Sequence, residues 1–430
     1  MTFIMDPLLY PNIIKHGRQL DFHEFSGKVA PVTFGYPPVV DRKFPGLQER
    51  ISRSFQLLQG DSLQALTESM MGNLMLVFRQ DFLGERRGGA GGWRSADMYE
   101  FCSSVMFEAT FLTMYGRPAG ARRHSGMGAL REDFLRFDNM FPLLIAQIPI
   151  WLLGRTAAVR QKLIGYFLPH RMSRWSDMSQ FIRTRAELFE QYDALRDVDK
   201  AAHHFAILWA SVGNTVPATF WAMYHLVSHP EALQVVRREI QDVLGLGGVE
   251  ASGDRDVPLS GEQLEKLVCL ESAIRESLRL SSASMNIRVA QEDFGLRLDG
   301  ERSVAVRKGD FIALYPQSMH MDPEIYEEPQ SFRFDRFLQD GRLKTDFYKD
   351  GQRLKNYLMP FGSGSSKCPG RFFAVNEIKQ FLSLLLLFFD LQLEEGQPRA
   401  SLDPSRAGLG ILLPATDVRF RYRRRRLQTA

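Results

Sequence analysis

FGSGSSKCPGRFFA, residues 361–374, is the most specific pattern in this 430-residue sequence. It places a cysteine, Cys368, between glycines and directly before an apolar helical pattern over Phe372–Leu387. A helix N-terminus offers free N–H groups and a positive dipole end, which stabilise a thiolate. Glycine lets backbone approach a flat group without a Cβ clash, and Phe361 can shield the sulfur from water. An isolated cysteine is more often a small buried hydrophobic residue, but this context favours a reactive one.

Two further patterns precede this segment and point to a buried ion network. ESLR, residues 276–279, places Glu276 and Arg279 on one helix face, where they can pair. PQSFRFDRF, residues 329–337, adds Arg336 as a third member. A buried network of this kind needs all its polar atoms satisfied, so the role that we expect for it is architectural.

Together these patterns resemble the cytochrome P-450 superfamily of haem-thiolate monooxygenases. The match F-x-x-G-x-x-x-C-x-G comprises Phe361, Gly364, Cys368 and Gly370. The resemblance implies haem b (iron protoporphyrin IX) as cofactor, with Cys368 as the axial iron ligand and the other three in the haem loop. A thiolate ligand pushes electron density that favours O–O cleavage. The resemblance also places Arg288 on a haem propionate, a task that suits a guanidinium.

The sequence departs from the family pattern at identifiable positions. Many members carry Arg or His at the position of Ser366, so one haem contact is missing or supplied elsewhere. Phe334 and Asp335 replace the usual Pro and Glu. These departures leave the axial cysteine unaffected.

LWASVGNTVPATFW, residues 208–221, resembles the long central helix that crosses over the haem in this family. Gly213 takes the position of the usual acid and Asn214 that of the first hydroxyl residue, whereas Thr215 keeps the second. The resemblance makes these three the catalytic candidates, with Asn214 and Thr215 organising water, because an amide orients water rather than donating a proton itself. Pro217 removes a helix hydrogen bond and predicts a bulge or kink.

Hydrophobic periodicity predicts a mainly α fold with a minor β part, a cytochrome P-450 fold in a single domain over residues 1–430. The predicted helices are Leu63–Phe78, Gln161–Leu168, Val198–Ser228, Pro230–Leu244, Ser260–Leu280 and Phe372–Leu387. The predicted strands are Thr2–Met5, Val304–Val306, Phe311–Leu314 and Val418–Tyr422.

Composition restricts the possible partners and the compartment. The net charge is only +4, and much of it lies in the arginine-rich run 419–426, which we interpret as a solvated tail rather than a nucleic-acid patch. Three scattered cysteines favour a reducing compartment. No stretch reaches the ~20 apolar residues of a membrane span. The chain begins where the family has its first sheet strands, so we expect the N-terminal membrane anchor and first helix to be absent from it.

The departures themselves resemble the sterol 7α-hydroxylase branch of the family. Residues 101–104, 202–204 and 209–215 look most like the oxysterol enzymes, and residues 281–288 and 405–411 like the cholesterol enzymes. We therefore expect NADPH-dependent 7α-hydroxylation of an oxysterol (25- or 27-hydroxycholesterol) with molecular oxygen, in bile acid and sterol metabolism. Cholesterol 7α-hydroxylation, a peroxide isomerase like prostacyclin synthase and a non-catalytic binder are the alternatives.

The same resemblance implies where the protein works and with what. NADPH–cytochrome P-450 reductase is expected to dock near Lys367 and Arg371. The endoplasmic reticulum membrane, at its cytosolic face, is the expected location, with a sterol as substrate and no nucleic acid as partner.

Overall fold

Helices form most of the computed structural model, whose described residues are 1–84, 92–245, 257 and 259–425. The helices are α1 (Tyr10–Ile14), α2 (His23–Phe34), α3 (Leu47–Ser54), α4 (Gly60–Phe78), α5 (Met98–Tyr115), α6 (Met127–Asn139), α7 (Phe141–Ile145), α8 (Thr156–Tyr166), α9 (Pro169–Met172), α10 (Gln180–Glu190), α11 (Asp197–Val212), α12 (Thr215–Ser228), α13 (Pro230–Val243), α14 (Gly261–Lys266), α15 (Val268–Ser281), α16 (Pro316–His320) and α17 (Arg371–Phe388). Within the described ranges, no helix is long and apolar enough to cross a membrane.

Short strands form small sheets beside the helices, as the mainly α prediction requires. The strands are β1 (Thr2–Ile4), β2 (Leu20–Asp21), β3 (Arg94–Asp97), β4 (Arg117–Pro118), β5 (Trp175–Ser176), β6 (Asn286–Ala290), β7 (Phe294–Arg297), β8 (Ser303–Val306), β9 (Phe311–Leu314), β10 (Leu338–Gln339), β11 (Arg342–Leu343), β12 (Tyr348–Lys349), β13 (Gln352–Arg353), β14 (Phe389–Leu393) and β15 (Arg419–Arg424). The largest sheet has the order β1-β9-β6-β2, with β1 parallel to β9 and the other pairs antiparallel.

The predicted helix Val198–Ser228 is interrupted, which confirms the expected kink. Helix α11 ends at Val212 and α12 begins at Thr215, so Gly213 and Asn214 form the break. Pro217 has no N–H to donate to the carbonyl of Gly213, whereas the next bond, from the Ala218 N–H to the Asn214 carbonyl, is made at 3.1 Å. The kink therefore lies four residues before the proline that causes it. The predicted helix Ser260–Leu280 is likewise divided into α14 and α15.

The arginine-rich run is not a solvated tail, and that prediction was wrong. Residues 419–424 form β15, which lies between β14 and β3 in a three-stranded antiparallel sheet. Phe420 and Tyr422 are buried on one face, and the alternating arginines lie on the other, where Arg423 pairs with Asp390 at 3.1 Å. The alternation of aromatic and arginine residues therefore predicts the structure of this segment better than its density of positive charge does. The last arginine of the run, Arg426, lies outside the described residues.

The main core lies where α4, α5, α12 and α17 pack together. These helices contribute fully buried apolar side chains, among them Leu74, Phe107, Phe220 and Phe381. The cysteine loop enters this core from one side, because it leads directly into α17. The fold thus places Cys368 at the edge of the packed helices and α12 inside them.

Candidate active site

The loop before α17 is closed by its own backbone. The N–H of Cys368 donates to the carbonyl of Phe361 at 2.8 Å, so the two ends of the predicted haem loop lie together. Gly362 and Gly364 have φ angles of 74° and 58°, in the left-handed region that favours glycine. A Cβ at position 364 would also lie only 3.0 Å from Cγ2 of Ile14. Glycine at Gly364 is therefore required by backbone conformation and by the neighbouring helix α1.

Cys368 lies at the N-terminus of α17, half-buried, with its sulfur near two backbone donors. Burial raises the pKa of the Cys368 thiol, while hydrogen bonds from the N–H groups of Gly370 and Arg371 and the charge of Arg371 oppose that rise. The balance differs from the simple expectation of a thiolate, because desolvation outweighs the helix N-terminus in the free chain. A cation bound to the sulfur reverses this balance, since a coordinating thiol is deprotonated.

Arg288 is a buried cation beside the same loop. It lies on β6 with 5% of its surface exposed, and its Nη2 donates to the carbonyl of Ser363 at 2.8 Å. Its Nη1 donates to the carbonyl of Ile287 at 2.8 Å. No carboxylate of the described residues lies within 4.0 Å of its guanidinium; burial lowers the pKa of Arg288, and the charge of Asp21 opposes that shift. A buried guanidinium without a carboxylate is suited to an anionic group brought by a ligand.

The donors at this site fit an iron porphyrin. Over the part of the chain that the structure describes, no group of three or more His, Cys, Asp or Glu side chains could hold a bare metal ion. A single sulfur would suit an iron that a porphyrin already binds through its nitrogens. The guanidinium of Arg288, beside Ser363 of the same loop, fits a carboxylate of such a ring. Ser366 donates to the carbonyl of Ser363 at 3.1 Å and so stabilises the loop instead of supplying charge.

The three residues of the expected ion network are brought together. Glu276 accepts from Nε of Arg279 at 2.7 Å and from Nε of Arg336 at 2.7 Å. Both side chains of the Glu276–Arg279 pair are completely buried. Nη2 of Arg279 also donates to Glu276 at 2.9 Å, while Nη1 of Arg279 and both Nη groups of Arg336 donate to backbone carbonyls, including that of Pro329 at 2.7 Å. Each charge in the network therefore has a protein partner.

The three candidates on the central helix lie at its break, but in different surroundings. A Cβ on Gly213 would lie 2.9 Å from the carbonyl oxygen of Trp209, so a side chain there would require the backbone to shift. The Oδ1 of Asn214 accepts a hydrogen bond from the N–H of Ile411 at 3.0 Å. This bond connects the break between α11 and α12 to the loop after the short 3₁₀ helix Pro404–Arg406. Thr215 is buried and begins α12.

The comparison with known families supports the chain-wide resemblance. The family description "Cytochrome P450" matches residues 52–420. The chain belongs to the cytochrome P450 family. Haem iron is the cofactor of this family, and Cys368 and Arg288 are the residues here that fit it.

Curated relatives cover almost all of the chain. It is 41% identical to "25-hydroxycholesterol 7-alpha-hydroxylase" of Rattus norvegicus, over 97% of this chain and 98% of the relative. It is also 41% identical to "Cytochrome P450 7B1" of Mus musculus, over 98% of this chain and 82% of the relative. The identity to "Cholesterol 7-alpha-monooxygenase" of Cricetulus griseus is again 41%, over 99% of this chain and 85% of the relative.

Two features near the P450 site were not predicted from the sequence. Asp138 on α6 forms a buried ion pair with Arg406 and accepts from Nε1 of Trp209 at 2.8 Å. Glu377 is buried on α17, where Oγ1 of Thr110 lies 2.8 Å from its carboxylate oxygen. The only sequence signal for Glu377 was a single acidic residue inside an otherwise largely apolar helix. Neither pair follows from spacing, because tertiary packing brings the partners together.

Proposed function

We propose that this P450 is a sterol 7α-monooxygenase whose substrate is an oxysterol such as 25- or 27-hydroxycholesterol. The observation that carries the proposal is Cys368 at the N-terminus of α17, in a chain with 41% identity to two relatives whose names state 7α-hydroxylation of a sterol. Equal identity to these two does not distinguish an oxysterol from cholesterol. The resemblance at residues 101–104, 202–204 and 209–215 favours the oxysterol.

The chain's own residues have separate tasks in this proposal. Cys368 would hold the iron, and Arg288, which donates to Ser363 of the same loop, would bind a propionate. When bound, haem supplies the activation of oxygen that hydroxylation requires. Asn214 is held by the Ile411 N–H, so its amide is oriented before any substrate arrives. Thr215 places a hydroxyl one residue further along the break.

We place the electron-donating partner on the surface beside the cysteine loop. A cleft of about 920 Å³ lies there, and its basic lining residues are Arg275, Lys367, Arg371 and Lys379. Lys379 and Arg275 are paired with Glu271, so Lys367 and Arg371 are the cations left for an acidic partner. We propose NADPH–cytochrome P-450 reductase as the partner for this surface, and the cytosolic face of the endoplasmic reticulum membrane as the location of the enzyme.

Turnover by the haem-loaded protein tests the proposal. With reductase, NADPH and 25-hydroxycholesterol we expect a 7α-hydroxylated product and consumption of NADPH, and a lower kcat/KM with cholesterol. Cys368→Ala is the matched control, which should lose the thiolate-type spectrum of the reduced, carbon monoxide-bound protein together with turnover. A higher kcat/KM for cholesterol would reject the oxysterol. A thiolate-type spectrum in Cys368→Ala would reject the iron ligand and the whole proposal.

A second function is favoured by one observation, the backbone shift that an acidic side chain at Gly213 would require. A haem-thiolate isomerase rearranges a peroxide without outside electrons and needs no such acid. Product from a lipid peroxide in the absence of reductase, with no 7α-hydroxylation in its presence, would select this function.

A further inference from the structure

The loop between β4 and α6 carries an exposed serine, Ser125, three residues after an exposed arginine. The spacing Arg-x-x-Ser occurs in the sequence at residues 122–125 and again at residues 279–282. Arg279 and Ser282 are 0% and 1% exposed, whereas Arg122 and Ser125 both lie on the surface. Of these two copies of the pattern, the first is therefore the one that an enzyme can reach in the folded protein.

Contacts within this loop hold the middle of the pattern and leave its arginine free to bind a partner. Arg123 forms an ion pair with the buried Glu108. Nε2 of His124 lies 3.1 Å from the carbonyl oxygen of Gly116. Arg122, by contrast, has no carboxylate within 4.0 Å among the described residues, although it is exposed. Its guanidinium is therefore open to an acidic partner.

Two glycines in open space bound the segment that contains the pattern. Gly120 and Gly126 have φ angles of 79° and 83°, and a Cβ built on either would have no heavy atom within 4 Å. The residues from 119 to 126 form no helix or strand. Exposed loops of this kind are where modifying enzymes act, because the segment can extend without disturbing the core.

The serine precedes a helix end that lacks a cap. Helix α6 begins at Met127, its N-cap residue Gly126 makes no side-chain hydrogen bond, and its first turn contains no acidic residue. The first N–H groups of a helix have no partner within the helix. A phosphate on Ser125 adds about two negative charges and three acceptor oxygens at this positive end. Such a phosphate would stabilise α6, the helix that carries Asp138.

We propose that Ser125 is phosphorylated by a protein kinase that recognises basic residues, and that the phosphate caps α6. Acidic side chains of the kinase bind Arg122. The Oγ of Ser125 forms a bond to the γ-phosphorus of ATP, the bond from that phosphorus to ADP breaks, and the hydroxyl proton passes to the catalytic base of the kinase. The site is independent of the proposed sterol hydroxylation, because it involves neither Cys368 nor the break between α11 and α12.

A second exposed hydroxyl has the same spacing from an arginine. Arg342 and Thr345 are both exposed, but Thr345 donates to the carboxylate of the adjacent Asp346 at 3.4 Å. A kinase surface that attracts an arginine through acidic side chains repels a carboxylate beside the acceptor hydroxyl. Charge therefore favours Ser125 over Thr345.

Phosphorylation of the folded, haem-loaded protein tests the site. With MgATP and the catalytic subunit of cAMP-dependent protein kinase, we expect up to one phosphate per chain, placed on Ser125 by mass spectrometry. Ser125→Ala should lose it, and Arg122→Gln should slow its incorporation at least about tenfold, as the loss of one charge-assisted contact requires. Arg297→Gln, at an exposed position on β7, is the matched control and should keep the wild-type rate.

Three results of this experiment would overturn the site. They are no phosphate on the folded chain, phosphate on Thr345 in place of Ser125, and an unchanged rate in Arg122→Gln. Phosphate on the buried Ser282 as well would show that the kinase acts on unfolded chains, and would also overturn the assignment.

Hydrogen exchange of the phosphorylated protein tests the effect on α6. The amides of residues 127–130 should exchange about two- to fivefold more slowly than in the unmodified protein, which is the contribution of a negative charge at a helix N-terminus. Helix α13 is the control, because its first turn already contains Glu231 and its exchange should not change. Unchanged or faster exchange at the start of α6 would overturn the capping role of the phosphate.

Discussion

Arg279 and Arg288 are both buried arginines on neighbouring elements, yet they differ in what surrounds their charge. Arg279 is completely buried and pairs with Glu276, and it also lies over the ring of Tyr326 at 4.9 Å. Arg288 on β6 donates to the backbone carbonyls of Ile287 and Ser363, and it has no carboxylate within 4.0 Å among the residues described. The charge of Arg279 is neutralised by the fold, whereas we propose that the charge of Arg288 is left for a ligand.

The difference separates architecture from chemistry. In a closed ion network, the pairing of opposite charges offsets the cost of removing them from water. The network also fixes the position of α15 against the segment that contains Arg336. A buried charge without a carboxylate in contact is costly, and in our proposal the ligand supplies the counter-charge of Arg288. Glu377 extends the comparison to acids, since no arginine or lysine nitrogen of the described residues lies within 4.0 Å of it and burial raises its pKa to about 8.

The largest expected effect is in the closed network. Glu276→Gln leaves the guanidiniums of Arg279 and Arg336 buried without a carboxylate, and we expect a loss of about 3–5 kcal/mol in the free energy of unfolding. Denaturant unfolding measures it. Glu49→Gln is the control, because it breaks an exposed pair with Arg53 at 2.6 Å, worth about 0–1 kcal/mol. Equal losses in the two variants would contradict the architectural role.

The uncompensated acid should appear as a pH dependence of stability. The pKa of Glu377 is about 8 in the folded state, above its ordinary value of 4.5, so folding binds a proton between these values. Its contribution to stability is complete below pH 4.5 and is lost as pH rises through 8. Between pH 6 and 9 we expect wild type to lose roughly 2–3 kcal/mol more than Glu377→Gln. Parallel pH profiles of unfolding free energy would contradict a neutral buried acid.

The uncompensated arginine should affect haem more than folding. Arg288→Met removes the cation offered to a propionate, and we expect haem to dissociate about 10–100-fold faster, the effect of one charge-assisted hydrogen bond. The unfolding free energy of the haem-free protein should change by about 1 kcal/mol or less. Haem transfer to an acceptor protein measures the first quantity. Arg297→Met, at an exposed position on β7, is the control, and a similar haem loss there would contradict the assignment.

The smallest effect is expected at Asn214, whose partner is neutral. Asn214→Ala removes the acceptor for the Ile411 N–H, which should cost about 1 kcal/mol in unfolding free energy. Asn214→Asp keeps an acceptor oxygen and should recover most of that loss. Thermal unfolding compares the two, and an alanine variant as stable as wild type would show that the bond contributes nothing.

Helices and strands were predictable where hydrophobic residues recur on one face of the element and polar residues on the other. Helix α13 was expected over Pro230–Leu244 and is Pro230–Val243, and strand β9 has the expected bounds. Helix α5 was not predicted, because nearly all its residues from Phe101 to Tyr115 are buried and their apolar pattern has no polar side. Burial on every face removes the signal that a single sequence offers.

The candidate site likewise has parts that were predictable from the sequence and parts that were not. The cysteine loop and the ESLR pair were predictable because their spacing is local and specific. Asp138 and Arg406 are 268 residues apart, and only packing brings them together. The environment of Glu377 was not predicted, because its hydroxyl partners come from α5 and α12. The spacing of residues within α17 contains no information about them.

The sheet that contains β15 has a consequence for how the polypeptide is synthesised. Strand β3 leaves the ribosome early, but its antiparallel partner, in which Arg419 pairs with Asp97, is translated much later. The backbone of β3 is therefore an unpaired edge during most of translation, and such edges attract other strands. The Cys368 loop is also translated late. Strand β3 therefore stays an edge until the loop that would hold haem has also been synthesised, because β15 follows that loop in the chain.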